Sequence, residues 1–224
     1  MIICVYALVS PAPARLHLVG AAGEKLHVIT VNRIAAVVGE MRRAPAPSVR
    51  NLRRHAAVVE AIAARMPAIL PARFGTAFVD RDELALTLRS RSGTLRRRLR
   101  AVRGRCQMTV RLTSEPASRS TVIGHTRLRL ANGATRGTQY LQQRAALAAS
   151  ARAIPGFEPV RAAIRRFVKD ERVERRAGVV TVNHLIPRAA VPRYLAAVER
   201  AATEGRLRLM VTGPLAPYAF ADNW

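Results

Sequence analysis

The segment HAAVVEAIAARMPAILPARFGTAF, residues 55–78, sets an imidazole (His55), a carboxylate (Glu60), a guanidinium (Arg73) and a hydroxyl (Thr76) close together in the chain. Such groups could move protons, hold an anion, or only satisfy the backbone. The surrounding residues favour the last. His55 lies on a helix beside its apolar stripe, the position of a hydrogen-bonded histidine at a core edge. Pro71 removes a ladder donor, which places its strand at an edge or makes it irregular. Gly75, between Phe74 and Thr76, admits a bulge or a close backbone approach. Arg73 and Thr76 can satisfy backbone carbonyls or pair with an acid such as Glu60. The expectation is an architectural motif that fixes a strand to the preceding helix; a partner-binding edge strand is the alternative.

The rest of the chain adds no catalytic constellation. It has no G-x-S-x-G, Walker loop, G-x-G-x-x-G or H-E-x-x-H. Its paired acids, Asp82–Glu83 and Asp170–Glu171, are sequence neighbours, which on a helix point about 100° apart and form no dyad. Cys4 and Cys106 are isolated, with no metal-ligand spacing. A non-enzymatic protein without metal or cofactor is expected. The opening IICVYALV lacks a basic n-region and is too short to span a membrane, so a cytoplasmic protein is expected.

Charge points to partners. The net charge is +24, from 38 basic and 14 acidic residues, and all the basic residues except Lys25 and Lys169 are arginine. Residues 1–114 hold 20 basic against 6 acidic groups, and residues 115–224 hold 18 against 8, so the whole surface is basic. Coding bias in an Ala/Arg-rich proteome would produce this; so would an acidic partner. The densest run, RSRSGTLRRRLRAVRGR (89–105), reads as a solvated helix or an acidic-partner face. A basic nucleic-acid-binding α+β protein is the alternative function. A ferredoxin-like sheet that stacks bases needs exposed rings, and the strand IICVYALV offers only Tyr6.

These residues must be positioned by an α+β fold. IICVYALV (2–9) is a buried strand, LHVITVN and IAAVVGEM form a hairpin about Asn32–Arg33, and Ser48 caps a helix with Leu52, Ala56, Val59, Ala63 and Met66 on one face. Asp80 caps the next helical stretch, RCQMTVRL (105–112) is a strand, and 114–137 is polar and turn-rich. Helices are expected at 138–154 and 157–174, a strand at 179–187, a helix at 188–203 and a strand at 206–213. The order strand–helix–Gly104–strand is echoed by strand–helix–Gly205–strand, as in ferredoxin-like layers. The expected organisation is an N-terminal ferredoxin-like domain (1–114), a linker (115–137) and a C-terminal α+β domain with a helical pair (138–224).

Four elements, in order, resemble the gas vesicle accessory proteins of the GvpF/GvpL family. They are IICVYALV with NRIAAVVGEM; the histidine-led helix and Leu-Pro-x-Arg-Phe-Gly-Thr strand described above; GTQYLQQR; and the ending VTGPLAPYAF. Ala72, Leu215 and Ala216 depart from the family pattern, Ala216 by replacing one of two consecutive prolines. The resemblance implies a non-catalytic protein associated with gas vesicles, either a minor component or an assembly factor. Its implied partners are the small hydrophobic shell protein and other accessory proteins, with no specific nucleic acid and no membrane. Gly213, Pro214, Pro217, Tyr218 and Phe220 are then expected to pack the tail back on the protein. Phe157, Val160, Ile164 and Phe167, on one helix face, are candidates for partner binding.

Overall fold

A computed structural model describes residues 1–113, 154, 156–176, 178–205 and 207–221. The linker expected at 115–137 and nearly all of the helix expected at 138–154 lie outside them.

The first sheet is built around β1 (Ile2–Ser10), with β2 (Leu26–Val31), β3 (Ile34–Met41), β4 (Ala68–Pro71) and β5 (Ala77–Phe78). Its order is β2-β3-β1-β4, all antiparallel, and β5 also pairs with β1. Asn32 and Arg33 both have positive φ (48° and 65°), as a two-residue type I′ hairpin requires. Helix α1 (Val49–Arg65) starts at Ser48, whose Oγ accepts from the Asn51 amide at 3.1 Å. It covers one face of the sheet, where Val59, Ile62 and Met66 pack on Tyr6, Val9 and Ile69. Helices α2 (Arg81–Ser90) and α3 (Ser92–Val102) cover the other, with Leu84, Leu88, Leu95 and Leu99 against Val5, Ile34 and Leu70. Covered on both faces, β1 is a continuous apolar run and not an alternating one. The α1 stripe is rotated from the expected one: His55, Val59, Ile62 and Ala63 are buried, while Leu52 is 47% exposed.

The second sheet holds β6 (Arg105–Thr113), β7 (Asp170–Arg176), β8 (Val179–Pro187) and β9 (Leu209–Leu215), in the order β7-β8-β6-β9. Helix α4 (Glu158–Ile164) and helix α5 (Val191–Glu204), the latter entered through a short 3₁₀ turn at Arg188–Ala190, cover one face. A last short helix, α6 (Tyr218–Ala221), ends the described chain.

Two expectations are corrected here. Strand β6, counted with residues 1–114, sits at the centre of the second sheet, so the chain changes sheets at Gly104 (φ 66°). Its even positions Cys106, Met108 and Val110 belong to the second core, and that packing decides its sheet. The helix expected over 157–174 stops at Ile164, and Asp170–Arg176 is strand β7. Its run DERVERR suits a helix locally, but β7 is an edge strand paired along its length with β8, where charged side chains guard an open edge.

The same correction removes the proposed partner face. Phe157, Val160 and Ile164 are fully buried and Phe167 is 7% exposed, all inside the second core. Ile164→Ala should therefore lower unfolding stability by about 2–5 kcal/mol, as truncation of a core aliphatic does. Urea denaturation checks this; an unchanged midpoint would show that the side chain is not core.

Candidate functional site

The motif of residues 55–76 folds as a latch between α1 and the edge of the first sheet. The Nε2–H of His55 donates to the Ala72 carbonyl at 3.1 Å, and the ring stacks on Tyr6 (5.1 Å) and meets Phe74 edge-on (5.7 Å). Burial pushes the His55 imidazole below its ordinary pKa, although the Ala72 bond opposes the shift. Pro71 ends β4 opposite Ala7, and at the sheet edge its missing donor costs no ladder bond. The chain then turns: the Thr76 amide and hydroxyl both donate to the Arg73 carbonyl (3.1 and 2.8 Å), and Gly75 takes φ 87°. After the turn, Thr76 accepts from the Val5 amide and β5 resumes pairing with β1. The segment from β4 to β5 is thus an edge strand broken by a turn. The Arg73 guanidinium is exposed and takes no part in this latch.

Glu60 does not pair with Arg73. Its Oε1 accepts from the Ala216 amide at 2.9 Å and so holds the tail. A proline at position 216 could not make this bond. The tail is seated at further points: the Ala219 amide donates to Gln107 Oε1 (2.8 Å), Arg98 donates to the Ala221 carbonyl (3.2 Å), and Arg172 lies over the Phe220 ring (5.4 Å). Phe220 and Ala221 join the core of the first sheet, together with Leu185 of the second. Burial, with the Glu60 charge second, raises the pKa of the Tyr218 hydroxyl. Gly213 (φ 136°) lets β9 approach β6: a Cβ there would stand 2.8 Å from the Gln107 carbonyl oxygen and 2.7 Å from Met108 Sδ. The tail residues Gly213, Pro214, Pro217, Tyr218 and Phe220 therefore end in a clasp across both sheets.

Beneath α4 and α5 lies a relay that the sequence reading did not single out. His184 Nδ1 is 2.7 Å from Tyr194 Oη and Nε2 is 3.1 Å from Glu171 Oε2, while Arg161 donates to both Glu171 oxygens (3.3 and 3.2 Å). The bond from His184, then those from Arg161, hold the Glu171 carboxyl below its usual pKa; burial raises Tyr194. The arrangement resembles a nucleophile–histidine–acid relay. Its hydroxyl end is closed, because Tyr194 and His184 are fully buried. It acts as a polar pin joining β7, β8 and α5. Cys4 and Cys106 are buried and burial raises their thiol pKa values, which leaves them unreactive. Among the described residues no three His, Cys, Asp or Glu side chains converge as a metal site.

The face of the second sheet away from α4 and α5 is polar. From β7 to β9, strand register gives a row Arg172–Asn183–Thr109–Thr212 and a next row Glu174–Thr181–Arg111–Met210. Gln107, Thr109 and Asn183 are each under 7% exposed and bond to one another. Arg73 reaches this face from the first sheet, and Tyr218 and Ala219 line it from the tail, enclosing a cleft of about 610 Å³. No base-stacking surface forms here: of the cleft-lining residues, Tyr218 alone carries a ring.

The family model of the gas vesicle synthesis proteins GvpL/GvpF matches residues 3–222. The chain belongs to that family. Two crystal structures of GvpF are similar to it throughout, each at 18% identity. That of the Anabaena sp. PCC7120 protein gives a TM-score of 0.76, covering 100% of this chain and 97% of its own. That of the Microcystis aeruginosa protein gives 0.73, with 99% of each chain covered. No curated protein matches significantly. In this GvpL/GvpF chain two of the four stretches quoted for the resemblance, the His55–Thr76 motif and the Gly213–Phe220 ending, meet through Glu60. The Gln107–Thr109–Asn183 cluster and the His184 relay were missed because neither has a local spacing: each joins residues of distant strands or helices.

Two substitutions separate backbone strain from crowding. Gly75→Ala meets no atom within 4 Å and should cost only the left-handed conformation, about 1–2 kcal/mol. Gly213→Ala also drives a methyl group into Gln107 and Met108, and should melt lower than Gly75→Ala; equal melting temperatures would mean the tail is not seated on β6. His55 supplies a pH test. Its folded pKa is depressed, so its contribution is complete above the unfolded value of about 6.5 and is lost as pH falls below it. His55→Gln should flatten the fall in stability as pH drops below about 6.5, measured as urea midpoints against pH.

Proposed function

We propose that this GvpL/GvpF protein acts without catalysis in gas vesicle assembly, by binding the small, hydrophobic, self-associating shell protein. The observation that carries this reading is a mainly apolar groove of about 470 Å³ beside the β9 edge, lined by Leu195, Val198, Leu207, Leu209 and Val211, with Glu199, Thr203 and Arg208 among its polar residues. Strand β9 ends its sheet and pairs only with β6 among the described residues, so its outer edge can add a strand of a partner. Alternating half-buried and exposed positions along β9 suit such an addition. The closed Tyr194 hydroxyl and buried thiols support the non-enzymatic reading. No described helix is long and apolar enough to cross a membrane.

The test is one salt titration from 50 to 500 mM, following co-purified shell protein and an unrelated DNA duplex. Apolar burial is not screened, so the shell protein stays bound throughout. Non-specific duplex binding falls by roughly 10³–10⁵ by about 200 mM if six to ten phosphates are contacted. Leu195→Arg, at the groove and 38% exposed, should release the shell protein without changing the melting temperature. Sequence-preferring DNA binding at physiological salt, with no shell protein retained, overturns the proposal.

A further inference from the structure

We propose that the cleft between the Arg73 turn and the face of the second sheet away from α4 and α5 binds a carboxylate-bearing peptide segment of a partner protein. Arg73 and Arg111 supply the charge and Asn183 the neutral donor. This contact is separate from the apolar groove beside β9 and does not depend on it.

Three observations meet here. First, in the latch His55, Phe74, Gly75 and Thr76 each have a bond, a ring contact or a backbone role, while the Arg73 guanidinium has none and lines the cleft. Arg111, exposed on the facing strand β6, likewise holds no hydrogen bond or ion pair among the described residues. Arg172 adds a third guanidinium, and Glu174 is the one carboxylate among the lining residues. Second, the floor has an unused donor. Gln107 Nε2 and Thr109 Oγ1 both donate to Asn183 Oδ1 (3.1 and 2.8 Å), which assigns Asn183 Nδ2 as its donor end. Asn183 lines the cleft, and an amide donor that solvent reaches there can exchange its water for an anionic acceptor. An oxygen anion in the cleft provides one, and planar guanidinia match a carboxylate geometrically.

Third, the lining selects a peptide over a nucleic acid. One ring, that of Tyr218, is too little to stack successive bases. Glu174 would repel a continuous phosphate chain, whereas a peptide can place a single acidic residue near the arginines and bond its backbone to Thr181 and Thr212. A volume of about 610 Å³ falls in the range of about 300–1,000 Å³ typical of small enclosed sites, enough for a short segment.

The test uses the full chain, a fluorescent hexaglutamate peptide and a fluorescent thymidine hexanucleotide at physiological salt. R73Q/R111Q removes the two free guanidinia at exposed positions, so its thermal melt should match wild type. R96Q/R100Q removes equal charge from the exposed face of α3 and is the control. Peptide affinity should fall about tenfold or more in R73Q/R111Q, the loss of charged hydrogen bonds, and less than about twofold in R96Q/R100Q. Equal losses in the two variants would show diffuse attraction and overturn the site, as would absence of peptide binding to wild type. Hexanucleotide binding that is tighter than the peptide's and equally dependent on Arg73 and Arg111 would make it a phosphate site and overturn the peptide assignment. Shell-protein retention by R73Q/R111Q, measured alongside, reports on the proposed function independently.

Discussion

The hydrogen bond from the Ala216 amide to Glu60 Oε1 is the contact on which the arrangement of the two sheets turns. Glu60 is on α1, which is fixed to the first sheet by Val59, Ile62 and the His55 latch. Ala216 follows β9, which is fixed to the second sheet by its ladder with β6. One neutral amide and one carboxylate thus help join the two layers, alongside Arg188 on the Ala63 carbonyl, Arg98 on the Ala221 carbonyl and Leu185 in the first core. The bond stays short of full burial and is backed by apolar contact: Ala216 is 1% exposed and Phe220 4%. A hydrogen bond to a charged group contributes roughly 1.5–3 kcal/mol, and burying an aromatic side chain contributes a similar amount. Neither alone would hold the two sheets together against thermal motion; together, at the end of a tail stiffened by Pro214 and Pro217, they add to the other contacts between the sheets.

Both sheets have the same strand order. In each, the first strand is central, the second and third form an edge hairpin, and the fourth pairs on the far side of the first. In the second sheet a helix, α4, precedes the hairpin, as a ferredoxin-like layer requires. In the first, residues 11–25 take that place without forming a helix. The difference decides what each sheet can do. Helices α2 and α3, added after β5, cover the face of the first sheet that would otherwise be open, and its strands become apolar on both sides. The second sheet has no such addition among the described residues, so its outer face carries Thr, Asn, Gln and Arg.

This explains which parts of the fold could be read from the chain. Segments whose own residues carry the signal were legible: the Asn32–Arg33 hairpin, the Ser48 and Asp80 caps, and β8 at Val179–Pro187. Segments decided by distant neighbours were not. DERVERR is a strand because β8 lies beside it. The sheet membership of β6 depends on Phe157, Val160 and Tyr194, which come much later. The echo between the two halves was real but out of register: β8, α5 and β9 correspond in topology to β3, α1 and β4, and not to β4, the α2–α3 pair and β6. Local glycine and helix signals matched in the wrong frame because both halves end helices with the same chemistry. Within the motif, the architectural role of Pro71, Gly75 and Thr76 was legible from residue type; the partner of Glu60 was not, since Ala216 contributes only a backbone amide.

The arginine excess has a partial local explanation in the same terms. Arg65 and Arg105 donate back to carbonyls of Ala61 and Ala101 near the ends of α1 and α3, where cations oppose the helix dipole. Arg188 reaches across to the Ala63 carbonyl and Arg98 to that of Ala221. An alanine-rich chain has few polar side chains with which to satisfy helix-end carbonyls, and arginine does so with long reach and several donors. Composition and architecture are therefore coupled: abundant alanine permits close helix packing, and abundant arginine ties the resulting backbone ends. Charge spent on such ties is no guide to partners. Arg73 and Arg111 are not engaged in such ties and line a common cleft, where their charge can meet another molecule.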